Sequence, residues 1–372
     1  MTFLDIQNQV VAITNVQQQP DLVKKSINIA LLRIAEYFEW PFYMVNTGVI
    51  STVAPYTTGT VTATNGSNAI VGVGTTWVSS MVGSKIRIAS GQPYYRIKSI
   101  DSTTALTLTT LFQSTNATAA TYNIYRDEYR LAADVDTYKT IVQIQNAIAM
   151  FSTPAAKFDK FFPSPYSYSH PTLEIMEGTA LDTYEIGTVS VVVNSSIITG
   201  VTTTWSTIPG IGRMSMITVG SNVYTVKSVT DDTHLVVFEV PSTAATTSVY
   251  SISLNNLLTQ VFPIPAQQEN LYYRYYRIPS PLVNSWDVAD LPIQWQYLLI
   301  YGAMSFVFLE KGDIQKSQIE SENRFLEGLQ NMKKKLGSYA SDRIWRVSSQ
   351  DTFVTTGDGL EKSTFDRRYS QP

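Results

Sequence analysis

The chain has 372 residues, of which 44% are apolar and only 15% charged, with a formal net charge of −3 and no cysteine. The length predicts two or three domains rather than one core. The missing cysteines exclude disulfides, thiol catalysis and thiolate metal sites, and the acidic balance argues against a general nucleic-acid binder, which shows a basic face. A surface short of charge and rich in tyrosine, with 22 of them, suits a chain packed against other chains.

The first fifty residues predict helices. One covers about Asp5 to Val16; a second opens at Pro20 and Asp21, residues suited to a first helical turn. Ile27, Leu31, Ile34, Ala35 and Phe38 then recur at helical spacing, and Pro41 disfavours helix at Trp40. The start has no basic n-region and no apolar run of signal-peptide type, so synthesis in the cytosol is expected.

From about Ser51 the texture is Thr, Val and Gly, with Asn65-Gly66 between two alternating runs, which predicts a type I′ hairpin. Ile86 and Ile88, Tyr95 and Ile97, and Leu106 and Leu108 follow at strand spacing, making a small all-β module that ends near Arg126. A mixed stretch over 127–185 includes the Pro-punctuated "FDKFFPSPYSYSHPTLEI". β texture then returns, and with it an internal repeat. "GVGTTW" ending at Trp77 recurs as "GVTTTW" ending at Trp205, 128 positions later, and "YRIKSIDSTTAL" recurs as "YTVKSVTDDTHL" after one inserted residue.

After Asn256, alternation over Leu271–Tyr276 predicts a strand ending at Pro279. Leu291–Glu310 predicts a buried helix, since "WQYLLIYGAMSFVFL" is shorter than a membrane span. Gly312-Asp313 breaks the chain. A last helix with Ile319, Leu326, Leu329 and Met332 inward runs to Leu336, with Lys333–Lys335 in its final turn. The polar remainder has no core of its own and is expected to extend over a neighbour. Six segments result: N-terminal helices 1–56, β module 57–127, mixed strand region 128–185, β module 186–254, strand plus C-terminal helices 255–336, and tail 337–372. The expected fold class is α+β: a discontinuous helical platform with a short strand region, carrying two inserted, duplicated all-β modules of sandwich or barrel type.

Candidate chemistry is sparse. His170 and His234 lie in predicted loops and are not spaced as metal ligands. Asp134 with Asp136 and Asp231 with Asp232 are carboxylate pairs of the kind glycosidases use, but such pairs are more often turn residues. Trp77 and Trp205 read as module core or, alternatively, as platforms that stack on a ligand. "GVGTTW" lacks the Lys-Ser/Thr of a phosphate loop, and "NMKKKL" reads as a solvated helix end. In "SDRIWRVSS", Arg343, Ile344, Trp345 and Arg346 read either as a docking segment, because Trp and Arg anchor interfaces, or as a strand that folds back on its own platform. No catalytic residue, metal or cofactor is expected, and the chain is not expected to be an enzyme.

"AEYFEWPF", "YRLAADV", "FDKFFPSPYSYSHPTLEI", "FPIPAQQENLYYRYYRIPSPL" and "LPIQWQYLLIYGAMSFVFLEKGD" occur in that order. Their succession over 1–50, 128–185 and 255–336 resembles the head-to-tail adaptors of short-tailed bacteriophages, also called connector or tail tubular A-type proteins. The two modules resemble the small β domains that decorate virion proteins. The resemblance implies a structural protein of the virion neck. Its twelve-copy ring would join the portal protein to the tail nozzle or tail tube protein, around a channel that passes DNA without sequence-specific binding. It implies portal docking by the tail at Asp342–Arg346, outward modules open to tail fibres, and no membrane partner. A tail fibre or carbohydrate-binding protein that uses the modules is the alternative; a glycan hydrolase is the third class.

Overall fold

The computed structural model describes residues 1–16, 19–89, 93–143, 148–162, 166–180, 182–337, 355–356 and 359–360. Strands dominate, and helices account for only 27% of the chain. This overturns the expected α+β helical platform. The helices are α1 (Phe3–Thr14), α2 (Pro20–Tyr37), α3 (Ala155–Phe161), α4 (Tyr297–Glu310) and α5 (Asn323–Met332). The chain divides into a unit of residues 1–44 with the chain from 276 onward, and a unit of residues 45–275. The strands assigned to the platform belong to the second unit. The physical reason is partner choice: the aromatic and β-branched strands between 128 and 275 hydrogen-bond one another and take α3 onto their own core, while α1, α2, α4 and α5 bury one another.

In the helical unit, Thr2 caps α1 through a reciprocal capping box with Asp5. Pro20 stands in the first turn of α2. α4 is buried on most sides, as its near-continuous apolar run predicts, and it starts after a 3-10 turn at Ile293–Trp295. Ile27, Ala30, Leu31 and Ile34 of α2 share one core with Leu298, Leu299, Ala303 and Val307 of α4 and Phe325 and Leu329 of α5. Gly302 is required there: a Cβ would stand 2.7 Å from the Ala30 Cβ. α5 is flanked by π-helical turns at Lys316–Glu322 and Lys333–Gly337.

In the β unit, one sheet orders strands Met44–Ser51, Asn270–Arg277, Val135–Gln143 and Ile148–Ala149, and a second orders Phe151–Ser152, Leu173–Thr179, Leu257–Phe262 and Glu128–Arg130. Residues 44–51, grouped above with the N-terminal helices, are therefore a strand. Ile50, Leu131, Ile141, Val261, Leu271 and Tyr273 are buried together.

The modules are two copies of one sheet. The first runs Ala117–Ala120, Thr60–Ala63, Ala69–Val73, Ala105–Leu108, Tyr94–Ser102, Lys85–Ile88, Tyr122–Tyr125. The second runs Ala245–Ser248, Thr188–Val191, Ile197–Val201, His234–Val237, Asn222–Asp231, Met216–Val219, Tyr250–Leu254, and adds Asp182–Tyr184. Both carry a bulge on the same edge, with Ala119 and Thr247 at positive φ of 47° and 49°. A bulged edge strand is a poor template for further pairing. The Asn65-Gly66 turn differs from the expected type I′. Only Gly66 has positive φ, 80°, and Ser67 N donates to Thr64 O. Asn65 is occupied elsewhere, its N–H bonding Asn116 Oδ1 at 2.7 Å.

The duplication extends past the modules. Leu258 pairs with Arg130, its counterpart 128 positions earlier. Tyr129 faces Thr259, and correspondingly Leu131 N donates to Leu257 O. An antiparallel strand pair centred on one residue and its own counterpart has a local two-fold relation. The two strand–module–strand repeats therefore meet back to back along this ladder.

Candidate functional site

The repeated hexapeptide is a packing device. Trp77 and Trp205 are 1% and 0% exposed. Each indole Nε1 donates at 3.0 Å to a tyrosine 45 positions on, Tyr122 or Tyr250. Each of those hydroxyls donates at 2.6 Å to a backbone carbonyl, of Thr58 or Ile186. Thr76 and Thr204 N–H donate to Tyr56 and Tyr184 Oη at 2.7 and 2.9 Å. The glycines follow from the same contact, since a Cβ on Gly72 or Gly200 would stand 2.8 or 2.7 Å from the Trp ring. The rings leave no face for a sugar or base at these positions. Sequence reading missed the four tyrosines, although their 128-residue spacing was there to be seen.

Charged side chains seat the modules on the strands beside them. Lys85 Nζ lies 2.9 Å from Asp127 Oδ2 and 2.7 Å from Glu128 Oε1, with all three side chains largely buried. Gln260 Nε2 donates to the same Asp127 oxygen at 2.9 Å, and Arg96 pairs with Glu128 at 2.7 Å. Burial opposes the Lys85 ammonium, but Asp127 and Glu128 outweigh it and hold its pKa above the ordinary lysine value. Burial likewise pushes Glu128 up, yet Lys85 and Arg96 hold it below the usual carboxylate range. The second module is seated differently. Asn255-Asn256 occupy the repeat positions of Asp127-Glu128, and Asn256 Nδ2 donates at 3.1 Å to Leu131 O and to Gly210 O. Arg213 pairs with Asp134 at 2.9 Å, and Tyr275 Oη donates to Asp134 Oδ1 at 3.0 Å. Arg130 bridges to Asp182 and to Leu254 O.

These bonds account for the carboxylate pairs. Asp134 is buried in a structural ion pair while Asp136 is exposed, so the two do not share a cleft. Asp231 accepts from Thr233 N and its side chain meets His234, which lowers its pKa to about 2. Asp232 Oδ1 accepts from Ser206 N and Oγ. His170 contacts buried Glu269. Among the described residues no cluster of His, Cys, Asp or Glu could hold a metal ion. One carboxyl stands apart: Glu174 is 1% exposed, its Oε2 has no partner among the described residues, and burial raises its pKa to about 7 against a backbone bond from Ile141. Arg343, Ile344, Trp345 and Arg346 lie outside the described residues.

The helical unit displays apolar side chains: Trp286 and Ile293 are 66% and 77% exposed, beside Val288. It also has two open clefts. One, of about 550 Å³, is lined by Gln294, Trp295, Tyr297, Asn331, Lys334 and Lys335. The other, of about 200 Å³, is lined by Arg33, Glu36, Tyr37, Phe325, Leu326 and Leu329.

Residues 184–349 match the family model described as SU10 adaptor protein. The match supports a phage adaptor-type protein. No curated protein matches the chain. The adaptor match begins at Tyr184, the second module's hydroxyl partner of Thr204, and runs through Trp205, Arg213, Tyr250, α4 and α5. It includes residues 343–346, the candidate docking segment. A phage adaptor is a structural component of the virion, and interaction with other virion components goes with it. Among the described residues no helix is long and apolar enough to cross a membrane.

Proposed function

We propose that this phage adaptor-type chain is a non-enzymatic head–tail adaptor of a short-tailed virus, a ring subunit that joins the portal protein to the tail nozzle or tail tube protein. The observation that carries the reading is the adaptor-family match over 184–349, which spans the second module, the strands after it and the C-terminal helices. Low charge and many tyrosines support large side-to-side interfaces. The seating of both modules on charged and amide pins supports a load-bearing body that transmits position from copy to copy. The buried tryptophans support this reading over ligand stacking.

In this reading twelve copies close a ring on the portal, which supplies the rotation that a heterologous contact needs. The net acidic chain lets DNA pass through the channel without adhesion. The tail around Arg343–Arg346 docks on the portal, and the modules face outward to tail fibres. The test is native mass of the chain with and without the portal ring of the same virus. Addition of about twelve copies to the portal supports the reading; a stable trimer with no portal binding would replace it with a fibre.

A further inference from the structure

We infer that the helical unit carries both halves of a head-to-tail contact between copies of this chain: the Trp286 loop of one copy enters the cleft lined by Arg33, Tyr37, Phe325, Leu326 and Leu329 of the next. The inference rests on the ring reading above and names the contact that would build the ring.

The projecting half is held rigidly. Asp287 Oδ2 accepts from Val283 N at 2.8 Å and Asn284 N at 2.7 Å, and Asp287 N donates to Asn284 O at 3.0 Å. From the other side, Phe3 N and Leu4 N of α1 donate to Asp287 O and Ser285 O at 2.7 and 3.0 Å. Trp286 is thus flanked by two pinned residues, with its own ring largely in solvent. An ordered, exposed indole loses little freedom on docking and is the side chain most enriched among interface anchors.

The receiving half matches in size and chemistry. A cavity of about 150 Å³ already holds benzene, so a cleft of about 200 Å³ suits one aromatic side chain. Tyr37, Phe325, Leu326 and Leu329 supply its apolar walls, and Arg33 and Glu36 its charges. The guanidinium of Arg33 is fixed by two bonds to Glu322 and lies 4.8 Å from the Phe325 ring centre. A planar cation held in place favours an indole face.

The two halves point different ways. Asn28 of α2 holds the root of the loop, exchanging bonds of 2.8 and 2.9 Å with Leu282. Arg33 lies five positions later on the same helix, which is about 140° around its axis. A loop and a cleft on different sides of one helix cannot meet within a single copy through that helix. They join successive copies instead, giving a heterologous contact that closes as a ring when the rotation permits.

The chain has no cysteine, so paired substitutions test the contact directly. Ser285→Cys and Leu326→Cys both replace exposed side chains, leave the core intact and keep Trp286 in the loop. Oxidation of the double variant is expected to give a ladder of dimers, trimers and larger species on a denaturing gel. Mixing the two single variants is expected to give a cross-linked heterodimer and nothing larger. Trp286→Ala is expected to weaken self-association at least tenfold in sedimentation. Assembly of the double variant, alone or on portal rings, without a ladder would overturn this contact and leave the ring reading standing. No assembly under either condition, and no ladder, would overturn both.

Discussion

Glu174 and the module tryptophans show how a single buried polar atom constrains this chain. A free carboxyl titrates near 4.3, whereas burial raises Glu174 to about 7. A raised carboxyl pKa means that the folded state binds the proton more tightly. Its contribution is therefore full below about pH 4.5, declines as pH rises toward 7, and is absent above. The span corresponds to about 4 kcal/mol at most. Denaturant unfolding should show Glu174→Gln more stable than the parent at pH 8 and about equal at pH 4.5. A difference that does not change with pH would contradict the assignment. For the hydrogen-bonded pairs, Tyr122→Phe and Tyr250→Phe should each cost about 1–3 kcal/mol, because each leaves an indole N–H and a carbonyl unpaired. The two costs should agree within error, as the networks superpose bond for bond. Unequal losses would show that the repeats are not energetically equivalent.

At the scale of elements, the legible parts of the sequence were those governed by local rules. The apolar run of α4, Pro20 at the start of α2 and the alternation in the module strands each state their own structure. The spacing of Trp77 and Trp205 gave the repeat, and the tyrosines that complete the site stood at the same spacing, unread. What was not legible depends on distant partners. Nothing near Lys85 announces that Asp127 and Glu128 meet it or that Gln260 bonds the same Asp127, and nothing in the strand pattern says that residues 257–262 pair with their own repeat. That gap produced the wrong platform: strands and helices that alternate along the chain were joined in one layer, whereas each kind buries its own. The Lys85 seat also bears on design. Lys85→Met alone should cost about 3–5 kcal/mol by leaving buried Asp127 without a counter-charge and Glu128 with Arg96 alone, and adding Asp127→Asn and Glu128→Gln should recover most of it. Thermal unfolding of the single and triple variants checks this. A single change as mild as the triple change would mean that the cluster is solvated. Deleting residues 58–126 would expose the same carboxylates, so point substitutions separate a module's role from its seat.

For the whole molecule, the account is one of a body built for assembly. A duplicated β unit carries two firmly seated modules, and a helical unit displays an exposed, pinned tryptophan and an aromatic cleft. The adaptor-family match extends from the second module through both terminal helices. The measurement that tests the central claim most directly is native mass spectrometry of the full chain, alone and mixed with the portal ring of the same virus. The account predicts a portal complex heavier by about twelve copies, with the modules present. A chain that leaves the portal mass unchanged, and forms a stable trimer by itself, would contradict it.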